Sequence, residues 1–307
     1  MRYLYLLILF TAVLMMLTTM VRRWETEARM KRKEINGEIE RHWRYKPTGF
    51  TITPKDACPQ SVEVLLVVSS GMTHQQRRAL IRQTYGKKQW QKQFNYRVIF
   101  VVGRSLQEDD EEILKEEARM NGDILQANFV DGYRMNTVKF LNWMRYVHDE
   151  CPKIKLVLKL DDDILVNIPW YVSRAAHPSN QWETYCSGPA MILSTDLFSR
   201  LITRIESKEH YNSVDDAFIT GQIAKEVHAK HDFELYKDSC FWNGLPEYDG
   251  KIDKPMLSGG AIFGEYRSSS GMRRVWEQLL IMNGAITDPP DHLPKSFKER
   301  PSRNDVI

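Results

Sequence analysis

IKLVLKLDDD, residues 154–163, joins a nearly continuous apolar run to three consecutive carboxylates. A short unbroken apolar run reads as a strand buried on both faces, as in parallel sheets covered by helices. The sequence upstream repeats the theme. VEVLLVVSS (62–70), YRVIFVVG (96–103) and DILQANFV (123–130) read as further strands. Helices are predicted over His74–Thr84, Glu108–Met120 and Met135–Glu150, the last with Val138, Leu141, Met144 and Arg145 at helical spacing. Strands separated by helices imply right-handed crossovers and an α/β fold, with a mainly parallel sheet covered on both faces. Ligands of such sheets bind beyond the carboxyl ends of the strands. Asp161, Asp162 and Asp163 stand at that end.

In an extended chain alternate side chains share a face, so Asp161 and Asp163 are expected to point together and Asp162 away. Two carboxylates held that close repel unless a cation lies between them. Hard divalent ions such as Mn²⁺ or Mg²⁺ take oxygen ligands and complete their shell with substrate phosphates. A cation gripping a diphosphate neutralises the charge that builds as it leaves. The plain alternative is an acidic turn ending a strand. Asp215-Asp216, on their own, read as the N-terminal cap of a helix, favoured there by the macrodipole. His228 and His231 read as a solvated pair on a polar helix, and Ser258-Gly259-Gly260 as a turn.

The charge balance excludes one class of partner. Arg2 and the nine Lys/Arg of residues 22–46, set against five Glu, exceed the net charge of +3, so residues 47–307 sum to about −2. A nucleic-acid-binding domain carries its basic excess on the folded part, so no nucleic acid is expected. Residues 3–21, YLYLLILFTAVLMMLTTMV, hold 19 uncharged positions. At ~1.5 Å per residue, that helix nearly crosses a ~30 Å hydrocarbon layer. A cleaved signal peptide has an apolar run of roughly 7–15 residues and a small-x-small cleavage site, which this stretch lacks. It reads as a retained signal anchor. Arg2 on one side and Arg22 and Arg23 on the other leave its orientation open.

Residues 22–57 read as a stem, with Glu25/Arg29 and Glu27/Lys31 at helical i,i+4 spacing. Prolines 47, 54 and 59 mark its end. The folded domain is placed at 58–287, and 288–307 reads as a mobile tail. Cys58, Cys151, Cys186 and Cys240 are too few for a disulfide scaffold but allow two bridges in an oxidising lumen. Cys151 stands just ahead of the predicted strand that begins at 154, a placement compatible with a bridge to Cys186.

Five segments in order resemble the β1,3-glycosyltransferase family of galactosyl- and N-acetylglucosaminyltransferases, across about residues 62–280. They are RRALIRQTYG (77–86), DILQANFVDGYRMNTVKFLNWMRYV (123–147), KLDDDILVN (159–167), YCSGPAMILS (185–194) and VDDAFITG (214–221). The resemblance implies a GT-A-like, Rossmann-like sheet and inverting transfer from a UDP-sugar to a glycan on glycoprotein or glycolipid. It also implies a single-pass type II protein of the Golgi membrane with its catalytic domain in the lumen. On that analogy Asp161 and Asp163 hold Mn²⁺ (or Mg²⁺) and the UDP-sugar. Arg78, Arg82 and Lys139 lie near the nucleotide, and Asp216 takes the acceptor's proton. Glu265 stands where family members often have a metal-binding His, and Tyr133 is placed to stack near uracil or to pack. Oligomerisation, homo- or hetero-, stays open.

The spacing departs from the family in one place. WYVS (Trp170–Ser173) follows Asn167 after only Ile168 and Pro169, where the family has a few dozen more residues. Ala190 also replaces a common glycine. The shortening raises an alternative: a non-catalytic, membrane-anchored member that binds glycan or escorts an active transferase. A Mg²⁺-dependent phosphohydrolase lacks any further phosphate-handling motif.

Overall fold

A computed structural model describes residues 2–41, 49–168, 189–208, 214–231, 240–241, 249–258, 261–266 and 268–283. Residues 170–173, Cys186, Gly259-Gly260 and the tail from 288 lie outside the described residues. Helix α1 (Arg2–Arg41) runs unbroken through the expected anchor and most of the stem. Among the described residues no helix is long and apolar enough to cross a membrane. Within the expected anchor, the side chains of residues 3–9 and 12 lie outside that description.

The main sheet has six strands, in the order β1-β4-β3-β2-β5-β7. They are β1 (Phe50–Ile52), β2 (Val64–Ser69), β3 (Tyr96–Arg104), β4 (Ile124–Val130), β5 (Leu156–Asp161) and β7 (Ala190–Ser194). The four predicted strands β2, β3, β4 and β5 are mutually parallel, and the edge strands β1 and β7 run antiparallel. The sheet is therefore mixed. β1 pairs with β4, so strand structure begins at Phe50, inside the segment expected to be stem. A smaller sheet joins β6 (Ile164–Val166), β8 (Cys240–Phe241) and β9 (Phe263–Glu265) in the order β6-β9-β8.

Apolar residues on the central strands alternate between two cores, as the period of two requires. Leu66, Val68, Phe100, Leu158 and Leu160 pack on one face with α2 (Gln75–Gln83), α4 (Glu108–Asn121) and α8 (Ser269–Met282). Leu65, Val67, Ile99, Val101 and Val157 pack on the other with α5 (Asn136–Glu150) and α6 (Phe198–Glu206). α3 (Lys88–Gln93) covers the start of β3 through the buried Trp90. Cys58 and Cys151 form a disulfide. This corrects the pairing compatible with Cys151 and Cys186, because α5 ends beside the segment that leads into β2.

The chain runs β2, β3, β4 outward to one side and then returns to lay β5 on the other side of β2. The order thus reverses between β2 and β5, where a crevice opens at the carboxyl ends. Ser69 of β2 and Asp161 of β5 are register partners at that point.

Candidate active site at the sheet switch point

Asp161 closes β5, and Asp162 and Asp163 form the turn into β6 rather than an extended continuation. The turn alters the expected alternation. Asp162 is directed at the loop after β2, where Ser70 Oγ donates to it at 2.8 Å and His74 Nδ1 lies 2.7 Å away. Arg77 reaches Asp162 at 3.8 Å and Asp163 at 3.7 Å. Burial opposes the charge of Asp162, but His74, Ser70 and Arg77 outweigh it and hold its carboxyl below the usual range. The bond to Asp162 in turn raises His74.

Asp163 behaves oppositely. Burial, and then Asp161, Asp162 and Glu265, push its carboxyl up to about 6 against the pull of Arg77. Glu265 is buried on β9, in register with Ile164, so the small sheet brings a carboxylate back toward the turn. This crowd of oxygen donors fits a hard divalent cation, whose charge would relieve the repulsion. Among the described residues no group of three or more His, Cys, Asp or Glu side chains is arranged to hold a metal. The expected set of Asp161, Asp163 and Glu265 is therefore not a closed cage. Its chemistry suits an open site of one or two carboxylates completed by phosphate oxygens.

On the other side, Lys159 is buried in β5 with its ammonium 2.8 Å from Asp161 and 4.0 Å from Asp215. Burial works against that charge, but Asp161, Asp215 and Asp216 hold its pKa above the ordinary lysine value. Asp215 is raised by burial and by Asp161 and Asp216, with Lys159 opposing. Asp216 opens a π-helix, Asp216–Ile223, that continues as α7 (Ala224–Glu226), and its Oδ1 accepts from the N–H of Ala217 at 2.7 Å. Lys159 thus binds the end of β5 to the Asp215-Asp216 pair, a connection that sequence reading missed.

The three basic candidates serve the scaffold. Arg78 is buried and gives all five N–H groups to protein: two to Glu117 and one each to Ser70 Oγ, Gly71 O and Met72 O. It shapes the loop beside Asp162 instead of offering donors to a ligand. Lys139 donates to Ser70 O at 2.9 Å and pairs with Asp131 at 2.9 Å, while Asp131 accepts from Gly103 N at 3.1 Å. The ends of β2, β3 and β4 are tied by that one ammonium. Arg82 is bidentate to Asp123 and bound to Glu117, which turns it away from this site. Tyr133 is 91% exposed among the described residues, so it is not part of their core. His231 is bonded to Thr220 O rather than solvated.

A galactosyltransferase family model matches residues 76–169 and 167–233. The two pieces meet at 167–169, where the WYVS stretch arrives early. Beta-1,3-galactosyltransferase 5 of Pan paniscus is 26% identical over 240 residues, covering 67% of this chain and 79% of its own. An acetylgalactosaminyl-O-glycosyl-glycoprotein beta-1,3-N-acetylglucosaminyltransferase of Mus musculus is 35% identical over 133 residues, covering 41% of this chain and 34% of its own. A solved bifunctional glycosyltransferase, WbbM in its apo form, aligns at TM-score 0.35 and 10% identity. That alignment covers 75% of this chain and 51% of the WbbM chain, a likeness too loose to carry weight.

Proposed function

The chain belongs to the galactosyltransferase family, and from that premise we propose an inverting β1,3-glycosyltransferase with a GT-A-like fold. It moves galactose or an N-acetylhexosamine from a UDP-sugar to a glycan acceptor. The observation that carries this reading is the placement of two carboxylate groups, Asp161–Asp163 and Asp215-Asp216, around buried Lys159 at the β2–β5 switch point. Asp161 and Asp163 are the residues that would hold Mn²⁺ or Mg²⁺, with Glu265 adding negative charge behind Asp163. The bound cation supplies charge neutralisation for a leaving diphosphate. Asp216 takes the proton of the attacking acceptor hydroxyl, and Lys159 fixes Asp161 and Asp215 so that both ends of the site keep one geometry. Arg78 and Lys139 hold the loops on which the donor rests.

The same reading makes the protein a single-pass type II protein of the Golgi membrane. In support, Val13, Leu14, Met15, Met16, Leu17, Met20 and Val21 of α1 are each at least 50% exposed. An uncharged helix apolar all round has lipid as its natural solvent.

A second reading is a non-catalytic member that binds glycan or escorts an active transferase. The break in the family match at 167–169 favours it. The test is UDP release by the full-length chain in detergent, with a panel of acceptors, with and without Mn²⁺. Acceptor-dependent release is expected, falling by about 10²–10⁴-fold in Asp216→Asn, the range for loss of a general base. UDP binding without turnover on any acceptor would leave the second reading in place.

A further inference from the structure

At the amino ends of the strands, opposite the switch point, lies a cleft of about 1090 Å³ walled by the segment before β2, by α3 and by the α4–β4 turn. Its charge is one-sided. Lys55, Lys87, Lys88 and Lys92 line it, all exposed, and none has an ion-pair partner among the described residues. Arg97 adds a fifth cation, with only a 4.0 Å approach to the exposed Asp56. The acidic Asp123 on the wall is already taken by Arg82. Lys88 and Lys92 are one helical turn apart on α3, where like charges repel and cost stability. The chain as a whole has no cationic excess after residue 46, so this concentration is local rather than an effect of composition.

We propose that this cleft binds a multiply anionic glycan chain, bearing sulfate or carboxylate groups, at a site separate from the transfer chemistry. A concave channel with lysines on more than one wall suits a linear polyanion better than the flat headgroup plane of a membrane. Among polyanions, a glycan is the class the family handles. The proposal draws on family membership, not on catalytic competence. A non-catalytic chain would bind equally well.

The probe is a heparin-derived hexasaccharide, titrated by calorimetry into the full-length chain in neutral detergent at low and at physiological salt. The test variant is Lys87→Gln/Lys88→Gln/Lys92→Gln, whose side chains are exposed and make no hydrogen bond among the described residues. Saturable binding to wild type, weakened by salt, should drop about tenfold or more in the variant, the sum of three exposed charge contacts. UDP affinity, read in the same cell, should be unchanged, which also reports that the variant is folded. No saturable binding, or equal binding by wild type and variant, would overturn the proposal. So would weak hexasaccharide binding beside strong lysine-dependent binding to vesicles containing phosphatidylserine, which would identify the cleft as a membrane contact.

Discussion

Lys159 shows why a lysine in the middle of an apolar strand is not noise. Its stem lies in the sheet and its ammonium answers two carboxylates that belong to segments more than fifty residues apart. Replacing it with Met should leave the largely buried Asp215 and the half-exposed Asp161 without their shared counter-charge. Because solvent screens Asp161, a loss of about 1–3 kcal/mol is expected in urea unfolding, between the cost of an exposed pair and that of a fully buried one. Glu117 is the matching case on the other face. Burial raises its pKa, but bonds and charge from Arg78 and Arg82 outweigh this and lower it below 4.5. A depressed carboxylate contributes its full stability above the unfolded value and loses it as pH falls through the folded one. Glu117→Gln should therefore be less stable than wild type near neutrality, and the gap should narrow as the pH is taken below about 4.5. Unfolding curves across that range check it. Neither role was legible beforehand, because Arg78 and Glu117 are 39 residues apart and each alone looks like charge on a helix surface. The acidic triplet itself was legible, since it ends a strand too apolar to be anything but buried.

Long periodic elements were readable and short ones were not. β2, β3, β4 and β5 announce themselves because strands covered on both faces must be apolar throughout. β1 is three residues between prolines, held by pairing with β4 rather than by its own composition. α3, KQWQKQ, buries only Trp90 and has no apolar stripe to detect. The π-helix at Asp216–Ile223 reflects a shift in hydrogen bonding that no residue pattern encodes. Two joints between elements are testable. Gly122 ends α4 at φ +69, and an added Cβ would also meet Lys55 Cβ at 3.3 Å. Gly122→Ala should cost about 1 kcal/mol in thermal or urea unfolding. The Cys58–Cys151 bridge ties the lead-in of β2 to the end of α5 across 93 residues of sequence. Cys58→Ser/Cys151→Ser should lower stability by about 2–5 kcal/mol, seen as the difference between oxidised wild type and the double variant under identical conditions.

Over the whole molecule, one sheet separates two charged ends. Its carboxyl end collects carboxylates at the point where strand order reverses, and its amino end collects lysines that have no ion-pair partner among the described residues. The first arrangement follows from the order in which the strands are laid down, and so was foreshadowed in the alternation of strand and helix. The second depends on which loops meet in space, so a net charge summed along the chain concealed it. Ahead of the shortened stretch after Asn167, β5, β6 and the turn between them are formed, and β6 pairs with β9. The most direct measurement is calorimetric titration of UDP into the full-length chain with and without Mn²⁺, repeated with Asp163→Asn. UDP affinity should rise at least about tenfold with Mn²⁺ in wild type, and the variant should lose that gain, as expected when one of two carboxylates completing a phosphate-linked cation is removed. Equal UDP affinity with and without the metal, or a gain that survives Asp163→Asn, would contradict the account.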